Sequence, residues 1–307
     1  MAYLHHDRIA FADAIHFASN ELGILPTVVE KDYYVTMILM LLAQKLSFVV
    51  FKGGTSLSKC HKVIKRFSED IDITIDTKLS QGQMGHLKDT IVDISQELGM
   101  RIPNLSETRS RRSYNKYLLE YDSVTGLMDT AVPSTVILET SFAEVSFPTV
   151  FLPVHSYIGD VLTAKAPDAL EQFMLKPFNM KVQGIDRTLI DKVFAICDYY
   201  LKGQTTRHSR HVYDIYKINP LVPKTEQFRE LVKTVREVRA KNEALCPSAM
   251  PDISIPVILN EILSKEIYKR DYNDITLRIL DEEIPYDVAK QAIYDVVKEG
   301  MFNDKEA

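Results

Sequence analysis

The feature that most constrains this chain lies between Lys52 and Ile73, "KGGTSLSKCHKVIKRFSEDIDI". Two adjacent glycines follow a short apolar run, Phe48 to Phe51, and glycine is disfavoured inside either regular element. The arrangement predicts a buried strand that stops at a tight turn, with a helix following over about Ser56 to Lys65. Downstream, "EDIDITID" alternates acid and β-branched residues with a period of two. That is the pattern of a strand with one apolar and one polar face. Asp70 and Asp72 then project from one side, while Ile71, Ile73 and Ile75 anchor the other in a core.

Two carboxylates on one strand face stand roughly 6–7 Å apart at the backbone. Their repulsion is under about 1 kcal/mol in water and roughly 2–3 kcal/mol at an effective dielectric near 20. Exposed, such a pair means little. In a cleft it calls for a cation, and oxygen ligands of this kind suit Mg²⁺ (or Mn²⁺) held jointly with substrate phosphates. The "GGTS" turn supplies the other half. Backbone N–H groups of Gly53 and Gly54 can approach a triphosphate closely, and the Thr55 and Ser56 hydroxyls can add donors. The two halves together are much more specific than either alone.

The rest of the chain frames this motif. Phe11, Ile15, Ala18 and Leu22 predict an amphipathic helix ending at Gly23, and Thr27 with Glu30 looks like a capping box opening a second helix toward Gln44. A helix is expected after Ser80, then strands at "NKYLLEYD" and "STVILETSF". The order suits an α+β fold with a small mixed sheet. After about Pro153 the pattern reads as mostly helical, including "RTLIDKVFAICDYYLKG", with Gly203 as its stop, and "SRHVYDIYKI", with Ser209 as its N-cap. Two domains are expected, 1–155 around the sheet and 156–307 mostly helical.

Composition excludes several classes. The 307 residues carry a net charge of −5, so any nucleic-acid contact must come from local basic clusters. Two clusters exist: Arg109, Arg111, Arg112 and Lys116, and Lys202, Arg207 and Arg210. Either one alone is most simply a solvated loop. Three scattered cysteines (Cys60, Cys197 and Cys246) argue against a disulfide framework and for a reducing compartment. Cys60 and His61 lack metal-ligand partners at usable spacing. No leader peptide or membrane span is expected, which gives a cytoplasmic reading.

These residues resemble the first motif of the polymerase-β-like nucleotidyltransferase superfamily, a glycine turn followed by two aspartates spaced by one residue. In detail, "KGGTSLSK" and "RFSEDIDI" are similar to the AbiEii branch, toxins of type IV toxin–antitoxin and abortive-infection systems, related to the MenT toxins. "VVEKDYYVTMIL" resembles the helix that precedes the motif in that branch. The resemblance implies a nucleotidyltransferase palm whose nucleotide site is completed by the helical domain. It also implies a third acid on a later strand, for which Glu139 in "VILETSF" fits and Glu120 in "LLEYD" is a rival. Lys192 corresponds to a lysine expected to reach the phosphates, and Asp214 to an aspartate, catalytic or structural, near the nucleotide. Lys59 and Arg66 flank the first motif as further candidates for nucleotide binding.

On this reading the protein moves a nucleoside monophosphate from an NTP to an acceptor, tRNA at its 3′ end by the resemblance, in a phage-defence setting with an antitoxin encoded nearby. Asp70, Asp72 and Glu139 are the expected metal ligands. Two alternatives use the same acids. One is a glycosyl- or phosphotransferase with a nucleotide donor, which leaves the glycine turn unexplained. The other is a non-catalytic nucleotide- or RNA-binding module.

Overall fold

The computed structural model describes residues 2–303 except 67, 69, 76, 78, 111, 127–131 and 143–147. The chain divides into two compact units. The first comprises Met1–Cys60, Glu69–Ala143 and Thr149–Val182; the second comprises His61–Ser68, Glu144–Pro148 and Gln183–Ala307.

The first unit opens with α1 (Arg8–Leu22), capped by the Asp7 carboxylate and closed by Gly23 at φ 67°. The helix α2 (Pro26–Lys45) follows, buried along most of its length. Its start differs from the expected capping box. Pro26 takes the first helical position, which leaves Thr27 inside the helix. Glu30 instead turns its carboxylate to the Val124 N–H at 2.7 Å and to the Ser123 and Thr125 hydroxyls.

Then come β1 (Val49–Lys52), α3 (Gly53–Lys59), β2 (Ile71–Ile75), α4 (Gln81–Glu97), β3 (Tyr114–Glu120) and β4 (Thr135–Phe142). The helix α3 starts on Gly53 itself and ends earlier than expected, because Lys62 adopts φ 55°, which no helix continues through. Ser80 caps α4 in a capping box with Gln83.

Residues 149–183, where helix was expected from about Pro153, hold two more strands. These are β5 (Thr149–Val154) and, after α5 (Tyr157–Lys165) and α6 (Pro167–Gln172), β6 (Phe178–Gln183). Pro153 misled the sequence reading, yet proline is admissible in β5 because that strand lies at the sheet edge.

The six strands form one mixed sheet in the order β3-β4-β2-β1-β6-β5. Strand β2 runs antiparallel to β1 and parallel to β4, and β3 is antiparallel to β4. One face carries Ile71, Ile73, Ile75, Leu138, Tyr117 and Leu119, buried in a core shared with Met37, Ile38 and Leu41 of α2. The alternate residues Asp72 and Glu139 are half-buried on the other face. A one-residue slip of β2 would expose three isoleucines and bury acids. At about 2 kcal/mol per isoleucine, that costs roughly 6 kcal/mol before any charge penalty, so the register is fixed.

The second unit is helical: α7 (Ile185–Leu201), α8 (Arg210–Ile218), α9 (Glu226–Arg239), α10 (Ile255–Ser264), α11 (Lys269–Asp274), α12 (Tyr286–Ala289) and α13 (Gln291–Glu299). Helices α7 and α8 pack on each other, and Leu189, Val193, Phe194, Val212 and Ile215 are buried. Gly203, at φ 67°, ends the turn after α7. Ser209 does not cap α8 with its side chain; its hydroxyl meets that of Thr276 at 2.7 Å. The segment at 61–68 is tied into this unit by an Asp281 N–H to Lys65 carbonyl bond and an Arg66–Leu280 bridge. Among the described residues, no helix is long and apolar enough to cross a membrane.

Ile73→Ala removes a buried anchor of the acidic strand and is expected to cost about 2–5 kcal/mol, read as a lower urea midpoint with an unchanged m-value.

Candidate active site

Fixed register places four charged residues in one lateral row of the sheet. Lys52 pairs with Asp72 across β1 and β2, Asp72 with Glu139 across β2 and β4, and Glu139 with Lys116 across β4 and β3. Directly paired residues share a face, so the row reads Lys52, Asp72, Glu139, Lys116. Neighbouring strands lie about 4.8 Å apart, and at an effective dielectric near 20 the Asp72–Glu139 repulsion is about 3 kcal/mol. The two lysines offset it from the flanks, and Asp70, half-buried just before β2, adds one excess negative charge.

The glycine turn reaches the same point. Gly53 adopts φ 80°, and a β-carbon built on it would lie 1.9 Å from Asp72 Oδ2 and 2.8 Å from its carboxyl carbon. The Asp72 carboxylate therefore occupies the space that any side chain at residue 53 would need. Two requirements select glycine here, the left-handed backbone and the close approach.

One contributor was missed by sequence reading. Tyr114 sits on the same face of β3 as Lys116, diagonal to Glu139, within reach of an aromatic side chain. Its hydroxyl donates to the Glu139 carboxylate. Burial first, then that bond and the charges of Glu139, Asp72 and Asp70, push its phenol well above the usual range. Tyr114 thus senses all three acids at once. The signal was present in "SYNKYLLE", but only strand pairing shows which acid it meets. Glu120, the rival third acid, pairs with Thr135, four residues along β3 from Lys116. That is about 13 Å from the row, which removes it from the site.

The hydroxyls and cations expected near the turn are placed differently. Thr55 and Ser56 are buried, and the Ser56 hydroxyl donates to the Gly53 carbonyl at 2.9 Å. What the turn offers an anion is therefore backbone N–H of Gly53 and Gly54 rather than hydroxyls. Lys59 forms a buried ion pair with Asp32, whose other oxygen accepts the Tyr157 N–H at 2.8 Å. Its cation is spent inside the first unit, which corrects its expected role at the phosphates.

In the second unit, Arg66, Lys192, His211 and Asp214 form one buried cluster. Arg66 donates to both Asp214 oxygens, at 2.7 and 2.9 Å, and Lys192 Nζ lies 2.8 Å from Oδ2. Arg66 is 4% exposed and Asp214 fully buried, so Arg66 serves Asp214 rather than a phosphate. Lys217, one turn beyond Asp214 on α8, instead bonds Glu282 at 2.9 Å. Burial draws the Asp214 carboxyl upward, but the Arg66 and Lys192 charges and the bonds from Arg66 outweigh it and hold it well below the usual range. Burial, then the Lys192 charge, brings His211 down to about 3. The neutral ring accepts from Lys192 at Nδ1, 3.2 Å away. Lys192 does not snorkel; burial lowers its ammonium against the pull of Asp214.

His61 Nε2 meets the Gln183 carbonyl at 3.0 Å. Arg111 of the first basic cluster lies outside the described residues. Arg109, Arg112 and Lys116 are exposed, the last of them on β3 in the row above.

Asp214→Ala strands two buried cations and is expected to cost about 3–5 kcal/mol at pH 7 in urea denaturation. Asp214 has a folded value below its unfolded one near 3.8, so its contribution is complete above that pH and is lost as pH falls below it. The gap between variant and parent should therefore narrow below about pH 4.

By sequence, no curated protein matches this chain. Among solved structures it is similar to MenT4, a nucleotidyltransferase toxin from Mycobacterium tuberculosis H37Rv, with a TM-score of 0.57 and 15% identity over 95% of this chain and 90% of that one. At that identity the likeness speaks to the fold, and it bears out the α+β architecture. The family model described as nucleotidyl transferase AbiEii toxin, type IV TA system, matches residues 39–294, well over half the sequence. The protein therefore belongs to the AbiEii family of nucleotidyltransferase toxins of type IV toxin–antitoxin systems.

Proposed function

We propose that this nucleotidyltransferase transfers a nucleoside monophosphate from an NTP to the 3′ end of tRNA, with Mg²⁺ as its cofactor and a cognate antitoxin as its cellular partner. The observation that carries this reading is the contact of Gly53 with Asp72 inside a row that also holds Glu139.

The donor set fits a hard divalent ion. It is all carboxylate, it carries excess negative charge, and its members lie on adjacent strands. Among the described residues, no three His, Cys, Asp or Glu side chains, Asp70, Asp72 and Glu139 included, are gathered into a ready-made metal cage. Mg²⁺ does not need one, because it takes one or two carboxylates and completes its shell with substrate phosphates and water. Asp70 and Asp72 would hold it, with Glu139 beside them, and when bound it neutralises charge on the triphosphate.

The chain's own groups do the rest. Backbone N–H groups at Gly53 and Gly54 receive phosphate oxygens, and Lys52, paired with Asp72, adds a cation on that side. Glu139 accepts the proton of the attacking hydroxyl. The acceptor oxygen forms a bond to the α-phosphorus, the bond from that phosphorus to the α–β bridging oxygen breaks, and pyrophosphate leaves with the electron pair. In the helical unit, Asp214 fixes the Lys192 ammonium as it does the Arg66 guanidinium. Catalysis on this plan is positioning and charge neutralisation.

The test is transfer of label from each NTP in turn to total tRNA in the presence of Mg²⁺. Label is expected on intact tRNA and not on tRNA whose 3′ terminus has been oxidised with periodate. Asp72→Asn and Gly53→Ala are each expected to lose at least about 100-fold in rate, the second because its β-carbon evicts the Asp72 carboxylate. Undiminished transfer by Asp72→Asn would overturn the assignment.

A further inference from the structure

The sheet order gives the site a direction. Along β3-β4-β2-β1 the glycine turn lies at the β1 end of the charged row, and Glu139 and Lys116 lie toward β3. If the triphosphate rests at the β1 end, the attacking group must arrive over β3. A cavity of about 280 Å³ opens there, lined by Glu107, Thr108, Arg112, Tyr114 and Lys116 among others. That is close to the lower end of small-ligand sites, room for about one nucleotide.

Its polar groups divide into two kinds. Asn115 is committed to the Arg109 backbone at both ends, and Asn104 to the backbone of Lys116 and Leu118. Arg112 bonds the Glu107 carbonyl through Nη1 alone, and neither Arg112 nor Lys116 makes an ion pair among the described residues. By contrast, the cations of Lys59, Arg66 and Lys192 are all paired with buried aspartates. Between the two exposed cations stands Tyr114, 48% exposed, its ring on the cavity and its hydroxyl on Glu139.

Unpaired cations flanking a half-exposed aromatic ring match the requirements of a single nucleic-acid strand, whose bases stack and whose phosphates seek positive charge. We propose that the acceptor is a single-stranded RNA end that crosses β3, its last base on the Tyr114 ring and its last phosphate between Arg112 and Lys116, so that its terminal hydroxyl meets Glu139. Tyr114 is in addition a positioning residue for Glu139. This rests on the transfer reading above but makes a separate claim about where the acceptor lies. It also gives the basic "RSRRSYNK" segment a purpose that a solvated loop would not have.

The experiment measures RNA and nucleotide separately. A short fluorescent single-stranded RNA with a free 3′ hydroxyl is titrated by anisotropy without nucleotide, and Mg·NTP binding is titrated without RNA. Lys116→Glu and Arg112→Glu are expected to weaken RNA at least about 10-fold and to lower the salt slope of binding, and Arg112→Glu, which lies outside the charged row, to leave the KM for NTP within about twofold. Tyr114→Leu should raise the KM for RNA roughly 5- to 100-fold. Tyr114→Phe, which keeps the ring, should preserve that KM but lower kcat. Thermal midpoints within a degree or two of the parent confirm that the exposed charge reversals fold. Unchanged RNA affinity in both charge reversals, or label accumulating on protein rather than RNA, would overturn the proposal while leaving transfer chemistry intact. Failure of the parent to bind Mg·NTP would instead strike the transfer reading, and RNA binding would still report on β3.

Discussion

Everything at the acidic end of this molecule depends on the register of β2 between β1 and β4. Three buried isoleucines hold the strand in place, and their burial is worth more than the repulsion of the acids they force to the other face. Once that alternation is set, Asp72 has no choice of neighbours. It faces Lys52 and the Gly53 α-carbon on one side and Glu139 on the other. The core thus pays for a concentration of charge that water alone would not favour, and the site is as rigid as the sheet beneath it.

The helical unit solves a different electrostatic problem. Asp214 sits where no water reaches it, and two cations meet its oxygens while a neutral histidine accepts from one of them. Burying a carboxylate is tolerable only when its partners arrive with good geometry, and Arg66 supplies the bidentate form of that geometry. Such a cluster fixes the direction of the Lys192 ammonium, which a solvent-facing lysine would not have.

Much of this was legible in the one-dimensional pattern because it depends on local periodicity. The glycine pair, the alternating strand, the helix from Ser80 and the helix ending near Gly203 all involve spacings of two to four residues. The failures came where a distant partner overrode local preference. Glu30 had the spacing of a capping box but found the loop at 123–125; Ser209 had the chemistry of a cap but met Thr276. Pro153 looked like a breaker, yet an edge strand accepts it, since no neighbour needs the missing N–H on its open side.

The amino-acid sequence determined that a glycine turn and an alternating strand exist and which face Asp72 takes, because these follow from backbone sterics and the two-residue repeat, and its motifs pointed to the family. Tertiary structure decided which residues share their row. Glu139 rather than Glu120 stands beside Asp72 because β4 runs parallel to β2, and Tyr114 reaches Glu139 because β3 folds back upon β4. It also decided that Lys59 and Arg66 are consumed by buried aspartates, since ion pairing depends on distances that no spacing along the chain encodes.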